Sequence, residues 1–199
     1  MNYLFHLYLC DQKPLLRIGC MVGDFVKGPL DERWPEPLQQ GLALHRRLDR
    51  FAHDQPAFQR SRNRLAPALR LYRGVIVDLI YDHFLARHWS RFHPLPLRDY
   101  AATVYADLRR YAPQLPESFR PLIPRIIAHD WLTSYAEEET FSLVVRRMAG
   151  RSPKHARLSL GETALKEHRN ELEKDFFAFM RAAQNWLKNE EGMVPPAPS

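Results

Sequence analysis

The sequence predicts an all-α protein, built as a helical bundle in one domain. The chain has only 8 glycines, which fall at the edges of periodic segments, and apolar residues recur at spacings of three and four. The chain has 199 residues, of which 45% are hydrophobic, so it can bury one substantial core. We therefore expect a single helical domain over residues 1–190 and a flexible tail over residues 191–199.

The first two predicted helices lie in the amino-terminal third of the chain. One covers about Leu15–Val26 and ends before a glycine-proline pair, which suits a helix end. After a loop over Asp31–Pro37, the second covers about Glu36–Arg60. In this helix Gly41, His45, Leu48 and Ala52 share one face, because they repeat at spacings of four, three and four.

The third predicted helix covers about Pro67–Trp89 and carries two acids on an apolar stripe. The stripe begins at Leu71 and contains Asp78 and Asp82 one turn apart. The remaining helices are each followed by a proline, glycine or acidic break, and the last is expected to begin at a capping box of Ser159 and Glu162. These helices cover about Leu97–Tyr111, Ser118–Tyr135, Glu137–Met148 and Leu160–Asn189.

Charge and cysteine content narrow the classes of partner and compartment. The formal net charge is +6, so the surface should attract anionic partners. Cys10 and Cys20 are the only cysteines, and we expect two separate, buried thiols in a reducing compartment. No segment approaches the roughly 20 apolar residues that cross a bilayer, so we expect a cytoplasmic protein with no membrane partner.

Ionisable residues on faces that should be buried are the candidates for chemistry. His45 and Asp49 lie one turn apart on one helix, and Asp78, Asp82 and His83 lie on another. A buried carboxylate needs a cation or a charged partner, so the two helices can hold a metal ion between them. Alternatively, Asp78 or Asp82 forms buried ion pairs with the arginines that follow His45.

Four segments, in order, resemble the acyl carrier protein phosphodiesterase family. They are MNYLFHLYL at the amino terminus, GDFVKG over residues 23–28, LHRRLD over residues 44–49, and DLIYDHFL over residues 78–85 followed by His88 and Trp89. The resemblance is strongest over the first half of the chain. Phe5, Cys10 and Cys20 depart from the small or amide residues that we expect at their positions, which affects the shape of the pocket more than the reaction.

The resemblance implies a helical fold related to HD-type phosphohydrolases and hydrolysis of the phosphodiester of holo acyl carrier protein. The products would be apo carrier protein and 4'-phosphopantetheine. It also implies dependence on Mn²⁺, with Mg²⁺, Fe²⁺ or Co²⁺ as alternatives, and an acidic protein partner rather than nucleic acid. By this resemblance Asp24, His45, Asp82 and His83 bind metal, Arg46 and Asp78 are further catalytic residues, and His6 and Asp49 support them.

Two other functions remain open from the sequence. An HD-type hydrolase acting on a nucleotide would use similar ligands with a pocket for a base. A helical binding protein with a basic surface would hold its partner without catalysis and would take up no metal.

Overall fold

The structure, a computed structural model, describes residues 3–11 and 13–189, which form helices joined by short turns, with no strand among them. The predicted all-α class is confirmed. Within the described ranges no helix is both long and apolar enough to span a bilayer. The α-helices, numbered in chain order, are α1 (Tyr3–Leu9), α2 (Pro14–Val22), α3 (Glu36–Asp54), α4 (Pro56–Arg64), α5 (Tyr72–Arg87), α6 (Leu97–Tyr111), α7 (Ile123–Ala128), α8 (Trp131–Ser134), α9 (Glu138–Ala149), α10 (Ala164–Glu167) and α11 (Arg169–Asn189).

Helix α1 lies in the middle of the hydrophobic core, and it is not among the predicted helices. Its rings contact distant parts of the chain: the ring centroid of Phe5 lies 5.3 Å from that of Phe179 in α11, and the ring centroid of Tyr8 lies 6.0 Å from that of Trp89, just after α5. Six of its 7 residues are buried, so the helix lacks a polar face and the periodicity that reveals one. A helix this short is held by its packing rather than by propensity.

Helices α2 and α3 approach each other through two glycines. A Cβ added at Gly41 would lie 2.1 Å from the carbonyl oxygen of Leu16, and one added at Gly19 would lie 2.6 Å from that of Leu38. Both distances are far below van der Waals contact, so any larger residue would push the two backbones apart. The close crossing brings the middle of α3 against the end of α2, where the candidate site lies.

The prediction of one helix over Glu36–Arg60 is wrong, because two helices cover this segment. Helix α3 ends at Asp54 and α4 begins at Pro56. The proline ring disfavours helical geometry at the residue before it, and Gln55 is extended with φ −73° and ψ 128°.

The predicted helix over Pro67–Trp89 begins too early and ends too late. Pro67–Leu69 forms a 3₁₀ turn, Arg70 has a φ of 52°, and α5 begins only at Tyr72. Leu71, which we placed on the buried stripe, is therefore 87% exposed in this turn. At the other end α5 stops at Arg87, before a further 3₁₀ turn.

The prediction of one helix over Ser118–Tyr135 is also wrong. Asp130 has a φ of 43° and separates α7 from α8. This left-handed residue is stabilised by its side chain, because the hydroxyl of Tyr105 donates a hydrogen bond to Asp130 Oδ1 at 2.7 Å.

The last predicted helix begins later than Leu160, and its predicted capping box is absent. Residues Pro153–Gly161 form a 3₁₀ stretch that contains Ser159, whose hydroxyl donates to the carbonyl of Ala156 at 2.8 Å instead of capping a helix. The long helix α11 begins only at Arg169.

Three other predictions agree with the structure to within a few residues. Helix α6 has the predicted bounds, and α9 is shifted by one residue. The predicted helix at Leu15–Val26 corresponds to α2, which ends at Val22 and is followed by a 3₁₀ turn over Gly23–Phe25. The predicted flexible tail over residues 191–199 lies outside the described residues.

The expectation of two separate thiols is wrong, since Cys10 and Cys20 form a disulfide. Cys10 directly follows α1 and Cys20 lies within α2, with their Cα atoms 6.4 Å apart. Their sequence spacing carries no signal for a bond. The packing of α1 against α2 brings the two sulfur atoms together.

Candidate active site

His45 of α3 is held in one orientation by a hydrogen bond to the backbone of α2. Its Nδ1 lies 2.7 Å from the carbonyl oxygen of Cys20, and because a carbonyl only accepts, Nδ1 carries the hydrogen. The other ring nitrogen, Nε2, lies 3.2 Å from Asp49 Oδ2 and 3.7 Å from Asp24 Oδ1. Nε2 is therefore the atom that His45 can offer to a cation.

Gly23 leaves the space that the His45 ring occupies. A Cβ at this position would lie 2.2 Å from both Cδ2 and Cγ of the ring. The same 3₁₀ turn presents Asp24, the next residue, toward Nε2 of His45. The turn after α2 thus contributes to this site in two ways. Gly23 has no side chain and leaves room for the His45 ring, and Asp24 supplies a carboxylate.

His6 of α1 completes the cluster from a third helix. Its ring stacks on the ring of His45 with centroids 4.1 Å apart, and its Nε2 lies 3.3 Å from Asp49 Oδ1. His6 is 1% exposed, and within the described residues neither of its ring nitrogens has a hydrogen-bond partner of proper geometry. A buried imidazole nitrogen without such a bond is a ready ligand for a metal ion.

The two carboxylates of the cluster are ionised. The imidazole of His45 holds the pKa of Asp24 below its usual range. Burial alone would raise the pKa of Asp49, but the imidazoles of His45 and His6 outweigh it and hold that pKa well below its usual range. Asp24 is 64% and Asp49 37% exposed at the side chain, so both are reachable from solvent.

The two imidazoles differ in protonation. Burial lowers the pKa of His45, but Asp24 and Asp49 outweigh it and raise the pKa to about 9. Burial, reinforced by the nearby charge of His45, lowers the pKa of His6 to about 3. A cation that binds between the carboxylates would take the place of the proton on His45, as metal ligation by imidazole generally requires.

A pocket of about 290 Å³ opens beside this cluster. Two basic side chains, Lys27 and Arg46, share its lining with the acids, and Arg46 is anchored by donating to the carbonyl of Val26 at 3.1 Å. An arginine so placed can bind an anionic group beside the cluster. The lining consists of Gly23, Asp24, Val26, Lys27, Gly28, His45, Arg46 and Asp49.

The donor atoms of the cluster fit a divalent cation. His6, His45 and Asp49 each offer one ligand atom, and these atoms lie within 4.8 Å of one another. Asp24 can add a second carboxylate from the mouth of the pocket. A mixture of imidazole and carboxylate without thiolate suits Mn²⁺, Fe²⁺, Co²⁺ or Zn²⁺.

Asp82 occupies a different place from the one predicted for a ligand. Its Oδ2 accepts the backbone N–H of Leu4 at 2.9 Å, and its Oδ1 accepts that of Phe5 at 3.0 Å. The carboxylate is 0% exposed, and burial raises its pKa to about 7. The structure therefore attaches Asp82 to the beginning of α1, one residue before His6.

The structure does not bring His83 to the cluster, whereas Asp78 lies within its electrostatic influence. His83 Nδ1 donates to the carbonyl of Tyr135 at 2.9 Å, and burial lowers the pKa of His83 to about 4. Burial raises the pKa of Asp78 to about 6, and the charges of Asp49 and Asp24 add to this rise. Of the predicted ligands, the structure thus groups His45 with Asp24 and not with Asp82 or His83.

Three features of the site were missed by sequence reasoning. Lys27 lies on the pocket wall, the carbonyl of Cys20 orients His45, and Gly23 makes room for it. Lys27 could have been found, since it lies inside the segment that carries Asp24. The other two depend on the crossing of α2 and α3 and leave no local signal.

The fold and the site together define a helical protein with an imidazole–carboxylate cluster beside a pocket that also carries two basic side chains, an arrangement that can bind a cation and an anionic group side by side. The chain belongs to the acyl carrier protein phosphodiesterase family, whose model matches residues 1–183.

Bacterial relatives of the same description match nearly the whole chain. The chain is 31% identical over 190 residues to the acyl carrier protein phosphodiesterase of Yersinia pestis. The aligned region covers 93% of this chain and 98% of that protein. The identity to the protein of the same name from Pectobacterium atrosepticum is 29% over 192 residues, or 96% of this chain and 100% of that one. No solved structure matches the chain, so the relation to HD-type phosphohydrolases stays a prediction.

Proposed function

We propose that the protein hydrolyses the phosphodiester of holo acyl carrier protein to give apo carrier protein and 4'-phosphopantetheine. The observation that supports this function most directly is the family match over residues 1–183. The pocket adds chemical support, because it places the basic groups of Lys27 and Arg46 beside an acid and imidazole cluster.

A divalent cation, Mn²⁺ by preference, would be held by His6, His45 and Asp49, with Asp24 as a fourth ligand. When bound, such an ion supplies Lewis acidity and lowers the pKa of a coordinated water. His45 Nδ1 stays bonded to the carbonyl of Cys20, so the imidazole keeps its orientation throughout the reaction. Mg²⁺, Fe²⁺ and Co²⁺ are the alternatives to Mn²⁺.

The remaining roles follow from position. Arg46 would bind a non-bridging phosphate oxygen with its planar guanidinium, and Lys27, which lines the same pocket, would add a second positive charge. Asp78 lies close enough to the cluster to be influenced by the charges of Asp49 and Asp24, and with its pKa raised by burial to about 6 it would accept the proton of the attacking water.

The partner is a protein, and the net charge of +6 favours an acidic one. Acyl carrier proteins are small and strongly acidic, so long-range attraction would assist docking around the pocket mouth. The phosphopantetheine arm would then enter beside Arg46 and bring its phosphodiester to the cluster.

Mass spectrometry of holo carrier protein, incubated with the purified protein and Mn²⁺, tests this function. We expect the mass of the apo protein to appear, and to be absent with chelator or with the variant His45→Gln. A matched variant, Arg109→Gln, changes an exposed side chain outside the pocket lining and should cleave at the normal rate.

Intact holo protein after exposure to the wild-type protein with Mn²⁺ would contradict the proposal. Parallel incubations with nucleotides distinguish the two enzymatic functions by the mass of the product.

A further inference from the structure

Asp82 binds the part of α1 from which His6 reaches the cluster. The first N–H groups of a helix have no partner within it, and a carboxylate is the strongest common acceptor for them. Here an acceptor comes from α5: Asp82 takes the N–H of Leu4 and of Phe5, one with each oxygen.

The next residue along α1 is His6, so the two hydrogen bonds also place the His6 ring. Within the described residues its nitrogens make no hydrogen bond of proper geometry, and the ring is positioned by its backbone, by stacking against His45 and by the approach of its Nε2 to Asp49 Oδ1 at 3.3 Å. Asp82 is not among the residues whose ligand atoms converge at the cluster. It therefore influences the cluster indirectly, through the position of α1.

We propose that Asp82 is a positioning residue: it fixes α1 so that His6 joins His45 and Asp49, and it contacts neither metal nor substrate. This inference rests on the proposed function for the binding of an ion at the cluster and for the identity of that ion. The buried carboxylate binds two backbone amides, and the second of them belongs to the residue just before the ligand His6. Hydrogen bonds of this kind hold metal ligands in the orientation that binding requires.

Mn²⁺ binding by calorimetry, with no carrier protein present, tests this role in the variants Asp82→Asn and His45→Gln. Asp82→Asn keeps the size of the side chain and one acceptor, so we expect the Kd for Mn²⁺ to rise about 10- to 100-fold. Loss of a direct ligand in His45→Gln should raise it by more than about 1,000-fold. With Co²⁺ as the probe, Asp82→Asn should keep the absorption bands of the wild type.

Hydrogen exchange at the amides of Leu4 and Phe5 directly measures the two hydrogen bonds to Asp82. In Asp82→Asn we expect both amides to exchange at least tenfold faster, and the ring signals of His6 to shift in NMR spectra. The matched control is Asp175→Asn, which removes another buried carboxylate, bound to Arg60 at 2.7 Å, and should leave the Mn²⁺ affinity and both amides unchanged.

The wild-type protein gives a test that needs no folded variant. If Asp82 supports α1, addition of Mg²⁺ or Mn²⁺ leaves the amides of Leu4 and Phe5 as protected as before, or more so. If Asp82 is itself a ligand, metal binding draws it away and both amides exchange faster, which overturns the proposal.

Two results with the variants would also overturn it: Mn²⁺ affinity in Asp82→Asn equal to that of the wild type, or a loss as large as in His45→Gln with both amides still protected. A wild-type protein that takes up no metal would instead remove the metal from the proposed function. The exchange rates and the His6 ring signals would still decide the role of Asp82.

Discussion

At the scale of single residues, Gly23 is the position where the smallest change should disturb the site most. The variant Gly23→Ala would put its Cβ 2.2 Å from two atoms of the His45 ring and force the ring away from Asp24 and Asp49. We expect turnover to fall at least about 100-fold, because a displacement of about 1 Å in a site has this cost. Overpacking should also reduce the free energy of unfolding by about 1–3 kcal/mol.

Gly74→Ala is the matched control for this variant, measured by turnover and by urea unfolding. Gly74 lies in α5, and among the described residues outside its own turn of helix no atom lies within 4 Å of an added Cβ, so alanine should stabilise the helix by about 0.5–1 kcal/mol and leave turnover unchanged. Normal turnover in Gly23→Ala would mean that the His45 ring does not need its present position.

The burial of His83 gives a dependence of stability on pH. Burial lowers its pKa to about 4 in the folded protein, against about 6.5 in an unfolded chain. Above pH 6.5 both states hold the neutral ring. As the pH falls from 6.5 toward 4, the unfolded state binds a proton that the folded state does not, so the folded state loses stability. Between pH 7 and 4.5 this loss is about 2–3 kcal/mol.

The variant His83→Gln should lose about 2–3 kcal/mol less stability than the wild type over this range, since glutamine does not titrate. Urea unfolding at the two pH values measures the difference. The exposed His129 provides the control, and His129→Gln should follow the wild type. Equal losses in His83→Gln and wild type would contradict burial of the neutral ring.

The residues of the site were partly predictable from the sequence. His45 and Asp49 were singled out because helical spacing places them one turn apart, and they do share one cluster. His6 was only a supporting residue in the prediction, since a histidine in a short apolar run carries no local sign of its partners. Asp82 and His83 were predicted ligands, but their partners, backbone groups of distant segments, are set by tertiary packing.

At the scale of the elements, the disulfide joins α1 to α2, the two elements on which His6 and Asp24 depend. The variant Cys10→Ala/Cys20→Ala should unfold with a free energy about 2–4 kcal/mol lower, because the cross-link no longer restricts the unfolded chain. Thermal unfolding with and without a reductant measures this effect.

The reductant should lower the Tm of the wild type by roughly 5–10 °C and leave the double variant unchanged. These are the only cysteines of the chain, so no other thiol can account for a difference. A reductant effect of equal size on both proteins would exclude the disulfide as its cause.

The helices themselves were predictable where an amphipathic face and clear end signals coincide, as in α6 and α9. The errors have physical causes that act against periodicity. Pro56 and Asp130 break segments that look continuous by their apolar spacing, and α1 is buried all round. Apolar periodicity predicts where a helix can form, whereas a proline, a left-handed residue or burial on all sides decides where it ends or hides it.

At the scale of the whole molecule, the net positive charge should govern association with an acidic carrier protein. Screening of this attraction should raise KM for holo carrier protein roughly tenfold as salt increases from about 0.05 to 0.5 M. Steady-state kinetics measure this change. A small phosphodiester substrate, with no protein surface to dock, serves as the control and should show little change in KM.

Charge reversal can locate the docking surface. Arg50→Glu lies on α3, one residue after the cluster residue Asp49, and should raise KM more than Arg109→Glu, which changes the net charge equally on α6. Equal effects of the two variants would place docking elsewhere on the surface.

Because α2 and α3 cross at two glycines, enzymatic activity should depend on the docking of these two helices. The bond from His45 to the Cys20 carbonyl exists only while Gly19 and Gly41 let the two backbones touch. A chain whose helices have formed but have not yet docked would look native by circular dichroism and yet be inert. During refolding, turnover should therefore recover later than helicity. The delay between the two signals would measure how long α2 and α3 take to dock after they have formed.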